Sequence, residues 1–405
     1  MGTKFYYVAT TVIVILLLQF FSFKYLPDGI ANYSAFFAGV AILGMFLFLL
    51  LFKKRQGERH SLDIIVGLFI FSMFFALINA NIYWGQSTFF SLIGFKFYYI
   101  YFLYFVFVYI SFPQIDAEKI MLLFFYLSVI VFLINAITFP NVIFAWRSEE
   151  RREGSSFFFY GQGFTALGGF YFLNKYFDKR NLFHLGLFIV SFLCLFFLTR
   201  SRNNLIGMAL GSLVMILFAK IKNKGQVIAI FLSFVAVVAS FSDKIMSKIS
   251  AESVNQVANY SSDIRYIAHK YFLTTFQSGP LTYLFGNGYP YGNSNLQREI
   301  DKLSAGFGFY DSDLGFTGLF IHFGILSILA WLLIFYKVAT LKSNKKSTNY
   351  IYIKSYFAML AASALTGFSV FDPGYMPATI FALYILRMET IKVKYFKIEI
   401  LNENR

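Results

Sequence analysis

Cysteine occurs once, at Cys194, and charge is scarce: only 14% of the 405 residues are Asp, Glu, Lys or Arg. A single cysteine excludes any disulfide within the chain, and its place inside an apolar run makes it a core- or lipid-facing filler. Histidine is almost as rare. His60, His184, His269 and His322 stand at no ligand-like spacing, so no protein-built metal site is expected. The chain has no GxxxxGK[ST] and no GxGxxG, so neither ATP nor a dinucleotide is implied, and no cofactor is expected. Soluble domains carry about a quarter of their residues as charges, which this chain does not approach.

What fills the chain instead is apolar: 58% of residues are hydrophobic and 21% aromatic. Thr11–Phe23, Ala35–Phe52 and Ile120–Phe139 are almost uncharged and approach the roughly 20 residues that cross a bilayer. The fold class this predicts is an all-α integral membrane protein of about twelve transmembrane helices. They are expected near 5–23, 30–52, 62–82, 91–112, 119–139, 156–174, 182–198, 203–219, 225–241, 313–336, 351–371 and 375–387. Phe5–Phe23 lacks a small-residue cleavage site and is followed by another span, so it reads as a first helix and not a signal peptide.

The shortage of acids leaves a net charge of +15, and its distribution sets an orientation. "KKRQGERH" (Lys53–His60) is strongly basic, which places it in the cytoplasm. By alternation the same side receives Lys175–Asn181, Lys220–Lys224, Lys337–Lys346 and the tail from Arg387, with both termini inside. The chain then divides into 1–241 (helices one to nine), 242–312 (a long external loop) and 313–405 (helices ten to twelve and a cytoplasmic tail). Within the loop, "SSDIRYIAHKYFLTTF" (Ser261–Phe276) reads as a helix with Ile264, Ile267, Tyr271 and Phe272 near one side. It suits an interfacial helix on the outer leaflet, or a solvated loop helix.

External arginines oppose the orientation rule and are the informative set. Arg147, Arg151 and Arg152 sit among three glutamates in "RSEERRE", which suits a self-neutralised loop. Arg200 and Arg202, in "FFLTRSRNNLIGMAL", have no acidic neighbour in their turn, and Arg265 has Asp263 two residues away. Arginine is the preferred cation for bidentate phosphate contacts, so several of them at one face suit a phosphate-bearing lipid or a polyanion. Lys96 lies about a turn and a half into the fourth expected span, where an ionisable group is either functional or snorkels to the interface. In "LFGNGYPYGN" (Leu284–Asn293), Gly286 and Gly288 permit a tight turn packed against a ligand or another helix. Asp311 and Asp313 stand at the mouth of the tenth expected span, where a carboxylate serves as a general base or as a helix cap.

Three pieces in order resemble the O-antigen polymerase and ligase superfamily of bacterial envelope glycosyltransferases. They are "TRSRNNLIGMALG" from Thr199, "SDIRYIAHKYFLTTFQSGPLTYLFGNGY" from Ser262, and "SDLGFTGLFIHFGILSILAWLL" from Ser312. Together they fall within roughly residues 196–336. The resemblance implies a GT-C-like membrane glycosyltransferase in a bacterial cytoplasmic (inner) membrane, making lipopolysaccharide or capsule. Its donor and acceptor would be undecaprenyl-diphosphate-linked oligosaccharides. Membrane lipid, a chain-length regulator and a flippase would be its partners, with no nucleic acid. Arg202 is the better match to the family's arginine after the short external turn, and Arg265 matches the arginine opening the loop helix. Asp313, eleven residues before Gly324, takes the place where ligases carry histidine followed by asparagine, a departure that favours a polymerase. The implied catalytic set is Asp313, Arg202 and Arg265. Arg200, His269, Lys96, Gly286, Gly288 and Asp311 are expected to bind substrate, and Trp84, Trp146, Tyr289 and Tyr291 to stack on sugars. The alternatives are a ligase of the same family, a lipid-linked oligosaccharide flippase, or a transporter or structural membrane protein of another kind.

Overall fold

The computed structural model describes residues 3–20, 28–54, 58–138, 143–144, 148–149, 156–157, 161–198, 202–219, 224–240, 263–341, 350–365, 367 and 370–403. These form sixteen α-helices: α1 (Thr3–Leu18), α2 (Asp28–Phe52), α3 (Ser61–Trp84), α4 (Thr88–Gly94), α5 (Ile100–Ile110), α6 (Gln114–Thr138), α7 (Gln162–Lys179), α8 (Leu182–Leu193), α9 (Arg202–Phe218), α10 (Lys224–Ser240), α11 (Ile264–Thr274), α12 (Pro280–Phe285), α13 (Asn295–Phe307), α14 (Phe316–Thr340), α15 (Ile351–Ala364) and α16 (Met376–Glu403). A π-helical turn at Cys194–Leu198, a 3₁₀ turn at Asp311–Asp313 and a two-residue antiparallel pairing of Ser148–Glu149 with Ser156–Phe157 complete the described elements. Residues 33–52 of α2, together with α3, α6 and α14, make four helices long and apolar enough to cross a bilayer. The chain is an all-helical, multi-pass membrane protein.

Each helix end has a local cause. His60 caps α3, its Nδ1 accepting from Leu62 N while the Asp63 carboxylate accepts from His60 N. Asp63 also receives Tyr104 OH at 2.7 Å and Arg387 Nε at 2.8 Å, and Arg387 Nη2 donates to Glu58 O. This buried ion pair fastens the interior of α16 to the start of α3 at the basic end of the bundle. Its polar groups are all satisfied, the condition under which a buried pair is tolerable. Elsewhere small residues set the spacing. Gly207 and Gly211 of α9 lie so close to Met359 and Ser355 O of α15 that a Cβ would come within 3 Å of either, the small-xxx-small contact used between membrane helices. Cys194 is buried against Val131 and Phe132, as a core filler.

Two helices are interrupted. The fourth apolar stretch splits into α4 and α5 around tight turns at 95–99. α14 breaks at Gly324, whose φ of 71° and ψ of −175° are not helical. The rings of Phe95 and Tyr98 pack on Phe323, so the two breaks meet. Residues 279–291 dip into the same place. Gly279 lies against Tyr83, Gly286 and Gly288 against the His322 backbone and Ala76–Ala80, and Tyr289–Tyr291 against Gly94. Hydrogen bonds explain the dip. Asn287 N donates to Ile321 O at 2.9 Å and Gly288 N to His322 O at 3.1 Å, taking up carbonyls the break releases. Ser72 Oγ donates to Phe323 O. Irregular backbone inside a membrane bundle survives only when such groups are re-satisfied. Gly286 and Gly288 therefore face helices α14 and α3.

Candidate functional site

At the end of the bundle opposite His60, the re-entrant turn and the starts of α7, α9, α14 and α16 bring titratable groups together. His322, fully buried on α14, is the centre. Its Nδ1 lies 3.0 Å from Gly288 O and its Nε2 2.7 Å from Asp311 Oδ2. The Gly288 carbonyl can only accept, so Nδ1 donates to it, and Nε2 faces the Asp311 carboxyl group. Asp311 reaches the ring because the turn after Tyr310 folds back along α14, bringing Asp311 O to Gly318.

A second carboxylate, Asp372, stands in the link between α15 and α16. Gly374 N donates to its Oδ1 at 2.7 Å and Gln162 Nε2 to its Oδ2 at 3.2 Å. Burial pushes its proton affinity up, to a pKa of about 6, and the Gly374 hydrogen bond only partly opposes this. Between the two acids stand Tyr98 and Tyr289, with ring centroids 5.3 Å apart. Both lie within electrostatic reach of Asp311 and of Asp372. Tyr289 also packs on His322, at 4.8 Å. Tyr375 OH donates to Asn204 Oδ1, which draws the first turn of α9, opened by Arg202, against the Asp372 link.

The residues singled out from the sequence fall into three groups. Asp311, Gly286 and Gly288 belong to this constellation, the glycines through the backbone that holds His322. Lys96 sits nearby, buried in the break between α4 and α5, with Nζ over the rings of Phe97 and Tyr291 at 5.3 and 5.5 Å. His269, on α11, meets Thr317 Oγ1 at 2.8 Å; burial lowers its pKa, and Arg265 adds to this. Arg265 is exposed on the first turn of α11, whose cap is Asp263, accepting from Arg265 N at 2.8 Å. Asp313 is exposed on the 3₁₀ turn, and its carboxylate has no hydrogen-bond partner among the described residues. Gly315, not Asp313, occupies the cap position of α14, which removes the capping role from Asp313. Trp84 Nε1 donates to Asn287 Oδ1 and its ring stacks on Phe276. Arg147, Trp146, Arg151, Arg152 and Arg200 lie outside the described residues, and of Arg202 only the backbone is described.

His322 and Asp372 escaped the sequence reading. His322 stands in an unbroken apolar run with no polar neighbour to flag it. Asp372 did carry a signal: it is the one acid between Leu365 and Met388, four residues before the start of an apolar helix. No protein-family model matches this chain, and no curated protein matches it.

Proposed function

We propose that the protein is a polysaccharide repeat-unit polymerase. It would join undecaprenyl-diphosphate-linked oligosaccharides at the outer face of a bacterial cytoplasmic membrane, across twelve spans with both termini inside. The observation that supports this most is the convergence of Asp311–His322, Asp372 and the Arg202 end of α9 at the face opposite the basic links. In this reading an acceptor hydroxyl oxygen attacks the anomeric carbon of the donor. The carbon–oxygen bond to the diphosphate breaks, and the lipid diphosphate leaves with the electron pair. Arg202, at a helix N-terminus whose dipole also favours anions, would neutralise the departing diphosphate. The proton acceptor is a choice between Asp313 and Asp372. A base needs a fixed orientation and a proton affinity near the working pH. Asp372 has both, held by Gln162 and Gly374, so we assign it the role.

The decisive experiment is a polymer ladder from purified protein in liposomes supplied with its lipid-linked oligosaccharide, paired with the glycan profile of a deletion strain. A polymerase deletion keeps single repeat units on the final acceptor. Arg202→Lys is expected to lose most polymer although the charge remains, because an ammonium cannot make the planar multi-donor contact. Wild-type chain lengths from both Arg202→Lys and Arg202→Ala would remove the clamp. Reporter fusions after His60 and after Asn293 are expected to report opposite compartments, and a common compartment would overturn the topology. The two interrupted helices, a device of transporters, favour a flippase as the second reading. Its deletion strain would lose surface glycan altogether.

A further inference from the structure

A different part of the bundle holds polar groups that no hydrogen bond explains. Asn174 Nδ2 on α7, Ser212 Oγ on α9, and Tyr352 OH and Ser355 Oγ on α15 are all buried, and none has a hydrogen-bond partner among the described residues. They line one seam. A Cβ on Gly211, next to Ser212, would lie 2.4 Å from Phe170 Cζ and 2.6 Å from Ser355 O, so Phe170, Gly211 and Ser355 share a level. Asn174 follows Phe170 by one helical turn. Tyr352 precedes Ser355 by nearly one turn on a helix that runs the other way. The two therefore reach the same next level. There the Tyr171 and Tyr352 rings meet edge to face at 5.3 Å.

The seam continues toward the basic end of the bundle. Lys175 Nζ stands over the Tyr171 ring at 5.2 Å. Glu118 and Glu389 act electrostatically on Tyr352, and Gln114 bridges Glu118 and Tyr350 by hydrogen bonds. Through Tyr352 the seam thus adjoins a polar rim.

We propose that the seam between α7, α9 and α15 binds a chain of ordered water entering from the basic end of the bundle and reaching Ser212 and Ser355. The donor set selects the ligand class. An unpaired amide N–H beside three hydroxyls needs a partner that accepts and donates; a cation would leave Asn174 Nδ2 unanswered, and an anion would find no buried counter-charge. Buried water typically makes about three bonds to groups of this kind. The site stands whether or not the protein transfers sugars.

Same-shape substitutions test it. A dry seam gains stability when an orphaned hydroxyl is removed, whereas a hydrated one loses a water contact. Ser212→Ala, Ser355→Ala and Tyr352→Phe are each expected to lower the melting temperature in detergent by about 2 °C. The Ser212→Ala/Tyr352→Phe pair is expected to fall by less than the sum, because the two share waters. Unchanged or raised melting temperatures overturn the proposal. Water-edited solid-state NMR gives an independent readout. Magnetisation from water is expected to reach the Asn174 side-chain amide several-fold faster than that of Asn135, which is equally buried but bonded to Phe144 through both its oxygen and its nitrogen. Equal slow rates overturn it as well.

Discussion

Gly286→Ala is expected to remove most of the folded protein from the membrane. Gly286 has φ 78° and ψ 179°, and its contact across the interface, Gly324, has φ 71° and ψ −175°. That backbone region is essentially closed to any residue with a Cβ and costs about 1–3 kcal/mol when forced. A Cβ on Gly286 would also sit 2.3 Å from the carbonyl carbon and oxygen of His322 and from Phe323 N. Those are backbone atoms, so no side chain can swing aside. Overpacking adds about 1–3 kcal/mol, and the sum is a large share of the roughly 5–15 kcal/mol by which a native state persists. The cost is compounded locally, because moving the turn takes Asn287 and Gly288 away from the carbonyls of Ile321 and His322. Gly324→Ala is expected to match it, since its Cβ would meet Leu284 O at 2.3 Å. Gly306→Ala, with open space around it on α13, is the control and is expected to be silent or slightly stabilising. Monodisperse yield and melting temperature after solubilisation check all three, and a Gly286→Ala protein that purifies and melts like the wild type would overturn the packing argument.

The same contact explains what the sequence could and could not convey. Helix positions were legible because burial from water, or facing lipid, demands apolar residues over a length that the chain records directly. Every apolar stretch of the expected set contains a helix. The break at Gly324 was not legible. "FIHFGILSILAWLL" is continuously apolar, and what interrupts it is a turn almost forty residues upstream in the chain. His322 is hidden for the same reason: both its partners arrive by folding back, Asp311 through the 3₁₀ turn and Gly288 through the re-entrant segment. Arg387 read as the start of a basic tail, yet its guanidinium is buried on Asp63, more than three hundred residues away in sequence. Glycines in "LFGNGY" did announce close approach, and left open whether a ligand or a helix made it. Asp313 illustrates the opposite case. Spacing gave it a cap or a base, and the cap position falls on Gly315.

For the polymerase reaction proposed above, Asp372→Asn is expected to abolish polymer formation while making the protein more stable near neutral pH, and that opposition is what makes it informative. The carboxyl has an ordinary pKa of 3.8 and is raised to about 6 in the fold. A raised pKa means that the folded state holds the proton more tightly than the unfolded chain. The stabilisation this gives is complete below about pH 4 and is lost as pH rises through about 6. Above that the fold carries an ionised, part-buried acid at a cost of at most about 3 kcal/mol, which an amide does not incur. Melting temperature against pH is therefore expected to fall between about pH 4 and pH 7 in the wild type and to flatten in Asp372→Asn. Asparagine keeps an oxygen for the Gly374 or Gln162 hydrogen bond, so the link between α15 and α16 should persist. Transfer needs more than the link. Without a carboxylate the acceptor proton has no positioned destination, and general-base assistance contributes on the order of 10²–10⁴-fold. In the wild type the rate of transfer should rise through the same pH range in which stability falls, since both follow ionisation of one group. Asp313→Asn, changing an exposed carboxylate, is expected to leave rate, pH profile and melting temperature close to wild type. An inactive Asp313→Asn protein beside an active Asp372→Asn protein would move the base to Asp313. An Asp372→Asn protein with unaltered rates and the wild-type pH profile would leave departure of the diphosphate, assisted at the Arg202 end of α9, to supply the catalysis.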